Sequence, residues 1–492
     1  MSGRTVAALA AWTVVGGCAV GPNFKTPPPP AIDRYTRDAL PTSTAAAETE
    51  PQRFVADLDI PALWWGVFHS AALDELIAQA LAHSPTIDGA RAALRQANEL
   101  AAAQRGSLYP AVSAGYSLSR QKNAVGTLAP TLTSGEELFT LHTAQVSVSY
   151  LLDPLGGTRR RVESQQALAD AQRFELEAAY LALASNIVAA AITEASLRAE
   201  IDANQAIVAS EHEALGILER QSALGAIAEL DVMAERSQLA ATEAMLPPLQ
   251  KQLAQQRHLL ATLVGRFPSE EPTEQFDFAA MALPRDLPVS VPARLVRQRP
   301  DVLAAEAQLH AATADVGVAV ADLLPQLTLT AAAGGTSTSI EQLFAAGNTF
   351  WSAGASLTQT LFQGGTLWHQ KLAAEAGLDQ AGAQYRGVVL GACQQVADAL
   401  RALELDAQAV EASARAERAA TETLTVTRHN VELGSTSYLS LLSAQQLYLQ
   451  AVLNSVTART SRYADTAALF EALGGGWWNR RDGSSDPTGT VR

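Results

Sequence analysis

Two cysteines stand in a chain of 492 residues, Cys18 and Cys393, too few and too far apart for a disulfide framework. Cys18 follows Arg4, the apolar stretch Thr5–Val15 and the pair Gly16-Gly17. A positive charge, an apolar run too short to span a bilayer and small residues before a cut describe a secretory signal peptide over residues 1–17. Cleavage before Cys18 would leave a free N-terminal thiol. Cys393 falls beside an apolar helical seam and reads as a small core hydrophobe. The eight histidines show no metal-ligand spacing, no Gly-rich loop precedes a helix as a phosphate cradle, and no nucleophile elbow occurs. Scattered Ser, His and Asp read as solvated surface, so no enzyme, no metal and no cofactor is expected.

The residues Val15-Gly16-Gly17-Cys18 resemble the lipobox of bacterial lipoproteins, with Val15 where leucine is usual. The resemblance implies a diacylglycerol and an amide-linked acyl chain on Cys18. One chain binds a membrane marginally and several make a stable anchor. Residues 18–62 then read as a lipid-anchored extended segment.

A net charge of −15 and a pI of about 5.0 argue against a nucleic-acid partner. Hydrophobic residues make up 48% of the chain with alanine dominant, and aromatics only 6%, which suits long helices packed closely together. The longest uncharged helical run, Ala178–Thr193, falls short of the roughly 20 residues a spanning helix needs. No transmembrane helix is expected in the mature chain.

Four other stretches alternate with a period of two. Val112, Ala114, Tyr116 and Leu118 oppose Ser113, Gly115, Ser117 and Ser119; Ala144, Val146, Val148 and Tyr150 oppose Gln145, Ser147 and Ser149. Leu327, Leu329, Ala331 and Ala333 oppose Thr328, Thr330, Ala332 and Gly334; Trp351, Ala353, Ala355 and Leu357 oppose Ser352, Gly354, Ser356 and Thr358. One such strand alone reads as part of a soluble antiparallel sheet. Four, with Tyr109, Phe139, Tyr150, Phe350, Trp351 and Phe362 near their ends, match transmembrane strands with a lipid face and a wet face. Their connections, Lys122–Leu138 and Ser339–Thr349, read as exterior loops.

The strands come in pairs because the chain is duplicated. At an offset of 215, Ala90, Leu94, Ala97 and Leu108 match Ala305, Leu309, Ala312 and Leu323. At an offset of 209, Leu224-Gly225, Leu230, Leu260 and Gly265 match Leu433-Gly434, Leu439, Leu469 and Gly474. The first repeat spans 63–267, with strands about 108–121 and 141–153 and long helices about 157–222 and 228–264. A linker covers 268–298. The second repeat spans 299–474, with strands about 325–336 and 350–362 and helices about 366–432 and 437–473; 475–492 reads as a flexible tail. The longest helices would reach about 100 Å each. Apolar residues at seven-residue spacing (Ile201, Val208, Leu215; Leu239, Leu246, Leu253, Leu260; Val389, Val396, Leu403, Val410) indicate coiled-coil packing, and Pro247-Pro248 should break its helix. Four strands cannot close a barrel, for which about eight are the minimum, and open edges are forbidden in lipid. Several chains must share one.

The sequence resembles the TolC-like outer-membrane factor family, in its OprM and NodT type lipoprotein branch. The similarity rests on "CAVGPNFKTPPPP", "WWGVFHSAALDELIAQAL", "RQRPDVLAAEAQLHAATADVGVAVADLLPQLTLTAAAG" and "ALFEALGGGW", in order on the duplicated frame. The resemblance implies an α+β membrane protein, a homotrimer whose twelve strands form one outer-membrane barrel continued by a periplasmic α-helical, coiled-coil barrel. It also implies a periplasmic adaptor and an inner-membrane pump of the resistance–nodulation–division type as partners in efflux. Ala19 after the cysteine fits outer-membrane sorting. The turns "ALGAIAEL" and "ELGSTSYL" would be the periplasmic tips, with Leu224, Gly225, Ala226, Leu433, Gly434 and Ser435 as adaptor contacts; Gly225 and Gly434 also suit plain left-handed turns. By the same resemblance Asp231 helps to hold the aperture shut, while Ser440 and Ser443 stand where family members often carry aspartates. The alternatives are a periplasmic adaptor, which has one hairpin beside soluble β-domains, and a lipoprotein that only bridges membranes, which needs no Ser/Gly-lined strand faces.

Overall fold

The computed structural model describes residues 19–45, 51–122 and 138–480. Cys18, the signal segment and most of the first exterior loop lie outside the described residues. The described residues form two compact units, one drawn from 19–27, Ala93–Gln172 and Ala305–Tyr385, the other from Pro28–Ala92, Arg173–Ala304 and 386–480.

The first unit carries the antiparallel sheet, in the order β2 (Ala111–Lys122), β3 (Leu138–Leu152), β5 (Gln326–Ser337), β6 (Thr349–Thr358). Its strands are bracketed by α2 (Pro85–Gly106), α3 (Gly157–Ala223), α6 (Pro300–Asp322) and α7 (Thr366–Glu432). Pro110 and Pro325 end α2 and α6 before the strands begin, since proline cannot continue a helix ladder. Asp153 accepts the backbone N–H of Arg159 at 2.9 Å and so caps the start of α3. β3 begins three residues earlier than expected, at Leu138, and β6 ends at Thr358 rather than 362. Leu361 and Phe362 instead stand exposed beyond the last ladder position.

The second unit holds the returning helices and the largest buried side chains. α3 and α7 run unbroken for 67 residues each. α8 (Tyr438–Ala472) is continuous, whereas the segment expected as one helix over 228–264 is two, α4 (Glu229–Glu243) and α5 (Leu246–Val264). Pro247 and Pro248 sit in the first turn of α5, where their missing N–H groups cost nothing. α5 packs on α1 (Ala71–His83), whose Leu73, Leu76, Ile77 and Ala80 are fully buried. By length and composition alone, α3 holds an 18-residue stretch apolar enough to cross a membrane, with mean hydropathy 1.5. Its Ala184, Ile187, Val188 and Ala191 are buried within the chain, as a core helix requires.

Two further expectations are corrected here. The 268–298 stretch is more than a linker: β4 (Asp286–Val289) pairs in parallel with β1 (Arg53–Ala56) from the N-terminal segment. Arg53 reinforces the pair through two bonds to Asp286, at 2.8 and 3.1 Å. The tail is not free from 475 on, because Gly475 and Gly476 are buried and the Trp477 indole donates to the Gln298 carbonyl at 2.7 Å. Gly476 has φ +68°, and a Cβ there would collide with the Pro61 carbonyl oxygen. Residues 481–492 lie outside the described residues.

Candidate functional site

Register turns the four-stranded sheet into two chemically different faces. Ala114, Val146, Ala333 and Trp351 form one row across it; Val112, Val148, Ala331 and Ala353 form the next. Tyr150, Leu329 and Ala355 follow. All four apolar sets thus share one face. Between them run polar rows such as Ser113, Ser147, Ala332 and Ser352, where the Ser113 and Ser147 hydroxyls bond at 2.8 Å. The Thr143 and Thr336 hydroxyls bond likewise at 3.2 Å. β2 and β6 are the edges, each with a ladder partner on one side.

Both helix-to-helix turns use one backbone device. The Gly225 N–H bonds to the Ser222 carbonyl at 2.9 Å and the Ala226 N–H to Gln221 at 2.9 Å; Gly434 bonds to Val431 at 3.0 Å and Ser435 to Asn430 at 2.9 Å. This is the Schellman closure of a helix C-terminus, and it needs a left-handed residue, met by φ of 72° and 68° at the two glycines. Neither glycine has an atom within 4 Å of where a Cβ would stand, so conformation and not space requires it. Leu224, Leu230, Leu433 and Leu439 are the exposed apolar side chains of these tips, from 68% to 84% accessible.

The residues expected at an aperture, Asp231, Ser440 and Ser443, differ in their local roles. Ser440 Oγ bonds Ser437 Oγ at 2.9 Å, and Ser443 Oγ donates to the Leu439 carbonyl at 3.0 Å, so both hydroxyls turn back on their own helix. Asp231 lies in the first turn of α4, where its charge complements the helix N-terminus. The contact between α4 and α8 is made by other residues: Gln446 Nε2 donates to Gln238 Oε1 at 2.8 Å, with Glu235 and Tyr438 beside it. Buried Glu211 of α3 joins them, accepting from Gln238 Nε2 at 3.3 Å. Sequence reading missed this layer, yet a signal existed, because Asn204, Glu211 and Leu218 stand seven residues apart. The buried side of α3 follows them together with Ile201 and Ile207, while Val208 and Leu215 are only half-buried. On α7 the buried set is the expected Val389, Val396, Leu403 and Val410, and Cys393 beside it is a half-buried free thiol whose pKa burial pushes up.

A second acid pair joins α7 to α8. Asp406 is pushed up to about 7, first by burial and then by the neighbouring Asp465 carboxyl, while Arg462 partly offsets the rise. Elsewhere, Arg299 grips Asp301 at 2.9 and 2.7 Å and donates to the Ala472 carbonyl at 2.9 Å, which ties the start of α6 to the end of α8.

The family model described as "Outer membrane efflux protein" matches residues 76–266 and 291–475. The chain is 30% identical over 455 residues to the pyoverdine export outer membrane protein OpmQ of Pseudomonas putida, covering 92% of this chain and 94% of that protein. It is 28% identical over 470 residues to nodulation protein T of Rhizobium leguminosarum bv. trifolii, covering 94% and 96%. Among solved structures it superposes on the outer-membrane channel OprN with a TM-score of 0.82 at 28% identity, covering 94% of this chain and 100% of that one. The match to VceC of Vibrio cholerae has a TM-score of 0.79 at 26% identity, covering 85% and 100%. Matched by the family model over both halves and superposing on a solved outer-membrane channel along nearly its whole length, this chain belongs to the outer membrane efflux protein family and is an outer-membrane efflux channel protein.

Proposed function

We propose that three copies of this chain close one twelve-stranded barrel in the outer membrane and continue it into the periplasm as a helical tunnel, the exit duct of a tripartite efflux system. The sheet carries the reading: its four strands have one apolar and one hydroxyl-lined face, and β2 and β6 are left as edges. Lipid offers such edges no hydrogen bond, and about eight strands are the least that close a barrel. Identical chains supply matching edges. Relatives carry names such as toluene efflux pump and pyoverdine export outer membrane protein, so the pump rather than the duct sets the cargo. A periplasmic adaptor meets the tips at Leu224, Gly225, Ala226, Leu433, Gly434 and Ser435, and links the duct to an inner-membrane pump of the resistance–nodulation–division type. The test is the purified protein in planar bilayers: a detergent-stable trimer that conducts supports the duct, and a monomer without conductance overturns it.

The lipid on Cys18 is part of the same proposal. Cys18→Ala behind a cleavable signal is expected to abolish palmitate labelling while the barrel still inserts. Labelling that survives the change would exclude this anchor.

The aperture is proposed to lack an acidic ring, because Ser440 and Ser443 supply dipoles where carboxylates would concentrate negative potential. Resting conductance should therefore be only weakly blocked by multivalent cations. Ser443→Asp should introduce block, and Asp231→Ala should raise resting conductance. Strong, voltage-dependent cation block of the wild-type channel would contradict this assignment.

A further inference from the structure

The contact between α3, α4 and α8 near the tips contains polar side chains that no turn, cap or ion pair explains. Glu211 and Glu235 are fully buried, and Gln445 nearly so. Both carboxyl oxygens of Glu235, the Oε2 of Glu211 and both amide atoms of Gln445 lack a hydrogen-bond partner. The Tyr438 hydroxyl lies against Glu235 without closing a well-formed bond. At the rim, Gln238 links the layer in two directions, to Glu211 at 3.3 Å and to Gln446 at 2.8 Å.

A buried carboxylate oxygen without a donor is strongly disfavoured, whereas a neutral carboxyl can donate to an amide or phenol oxygen beside it. Two carboxylates in one layer also repel each other. The layer is therefore compatible with tight packing in one protonation state only. We propose that Glu235 and Glu211 form a protonation-dependent latch: while both are neutral, α4 stays packed on α3 and α8, and when either ionises the hairpins loosen near their tips. The consequence for gating rests on the exit-duct reading above; the latch itself does not.

The groups facing the layer are Glu211 and His212 from α3, Glu235 and Glu243 from α4, Arg428 from α7 and Tyr438 from α8. His212 and Glu243 pair with each other at 3.0 Å on the exposed side. Burial raises both acids above the ordinary carboxylate range; the Tyr438 hydroxyl draws Glu235 back in part, and Glu211 raises it again. Thr242, Gln238 and His212 draw Glu211 back only in part. Burial and Glu235 push Tyr438 upward as well, so it remains a neutral donor. Because both carboxyls are raised in the packed state, the stabilisation is full below the ordinary carboxylate value and is lost as pH rises through the raised ones. A cavity of about 250 Å³ lined by Tyr438, Leu441 and Gln445 gives water a place from which to enter the loosened layer.

The test is hydrogen exchange of the full-length protein in detergent, between about pH 5 and pH 8, corrected for intrinsic rates. Each proton released on opening lowers protection by about tenfold per pH unit across its titration range. In the wild type, α4 and the first half of α8 are expected to lose protection as pH rises. In Glu235→Gln, and fully in Glu235→Gln with Glu211→Gln, the slope should disappear, since the amides keep the volume but cannot ionise. A flat wild-type profile, or a slope that survives in the double variant, overturns the latch. Planar-bilayer conductance separates the two readings: an exchange slope without any conductance upholds the latch and defeats the duct, while conductance with a flat exchange profile does the reverse.

Discussion

Arginine in place of Val146 is expected to destabilise the folded protein in lipid by about 2–4 kcal/mol, and arginine in place of the adjacent Ser147 by much less. Val146 sits mid-strand between Ala114 and Ala333, in a row that continues to Trp351, so its side chain is on the uniformly apolar face. A guanidinium there has neither water nor a partner within the row. Ser147 lies one residue on, with its hydroxyl bonded to Ser113 at 2.8 Å on the face of hydroxyls and glycines. The pair Leu329→Arg and Thr328→Arg repeats the contrast on β5. Denaturant titration of refolded protein in bilayers measures all four, and equal losses on both faces would mean that the sheet does not present its apolar side to lipid.

Trp64→Ala should cost about 3–5 kcal/mol in the helical unit, among the largest losses available to a single side chain. Trp64 is 1% exposed and stacks on Phe470 at 5.9 Å, with Trp65 edge-on at 6.1 Å. Phe68 next to it is fully buried and stacks on Tyr463, whose hydroxyl donates to the Met281 carbonyl at 2.9 Å. This cluster joins the start of the first repeat, the inter-repeat stretch and the last helix, so a void there loosens three segments at once. The Trp64 indole N–H has no partner, and Trp64→Phe, which also removes that unsatisfied donor, should cost distinctly less. Thermal melting of the helical signal compares the two variants. Equal losses would place the energy in the nitrogen rather than in the packing.

Periodicity alone makes much of this protein legible. A strand's two-residue period and a helix's seven-residue period are local, so Val112–Leu118 and Val389–Val410 declare their faces without reference to any partner. The glycines at 225 and 434 are equally plain, because a left-handed helix end is a property of the backbone at that residue. The proposal of a shared barrel also starts locally, from counting four alternating strands against the roughly eight that closure needs. What tertiary structure alone decides depends on partners distant along the chain. Arg53 meets Asp286 across 233 positions, in a two-strand sheet whose four-residue strands are too short to show a period. The stop at Met245 between α4 and α5 can be anticipated from Pro247-Pro248, but the packing of residues 475–480 cannot. It rests on carbonyls of Ile60 and Pro61 that leave room only for a residue without a Cβ. Residue type alone does not set Glu211 and Glu235 apart from solvated acids, since helical charge is usually surface charge. The packing of α3, α4 and α8, with Tyr438 and Gln445 beside the acids, removes their water and raises both above the ordinary carboxylate range.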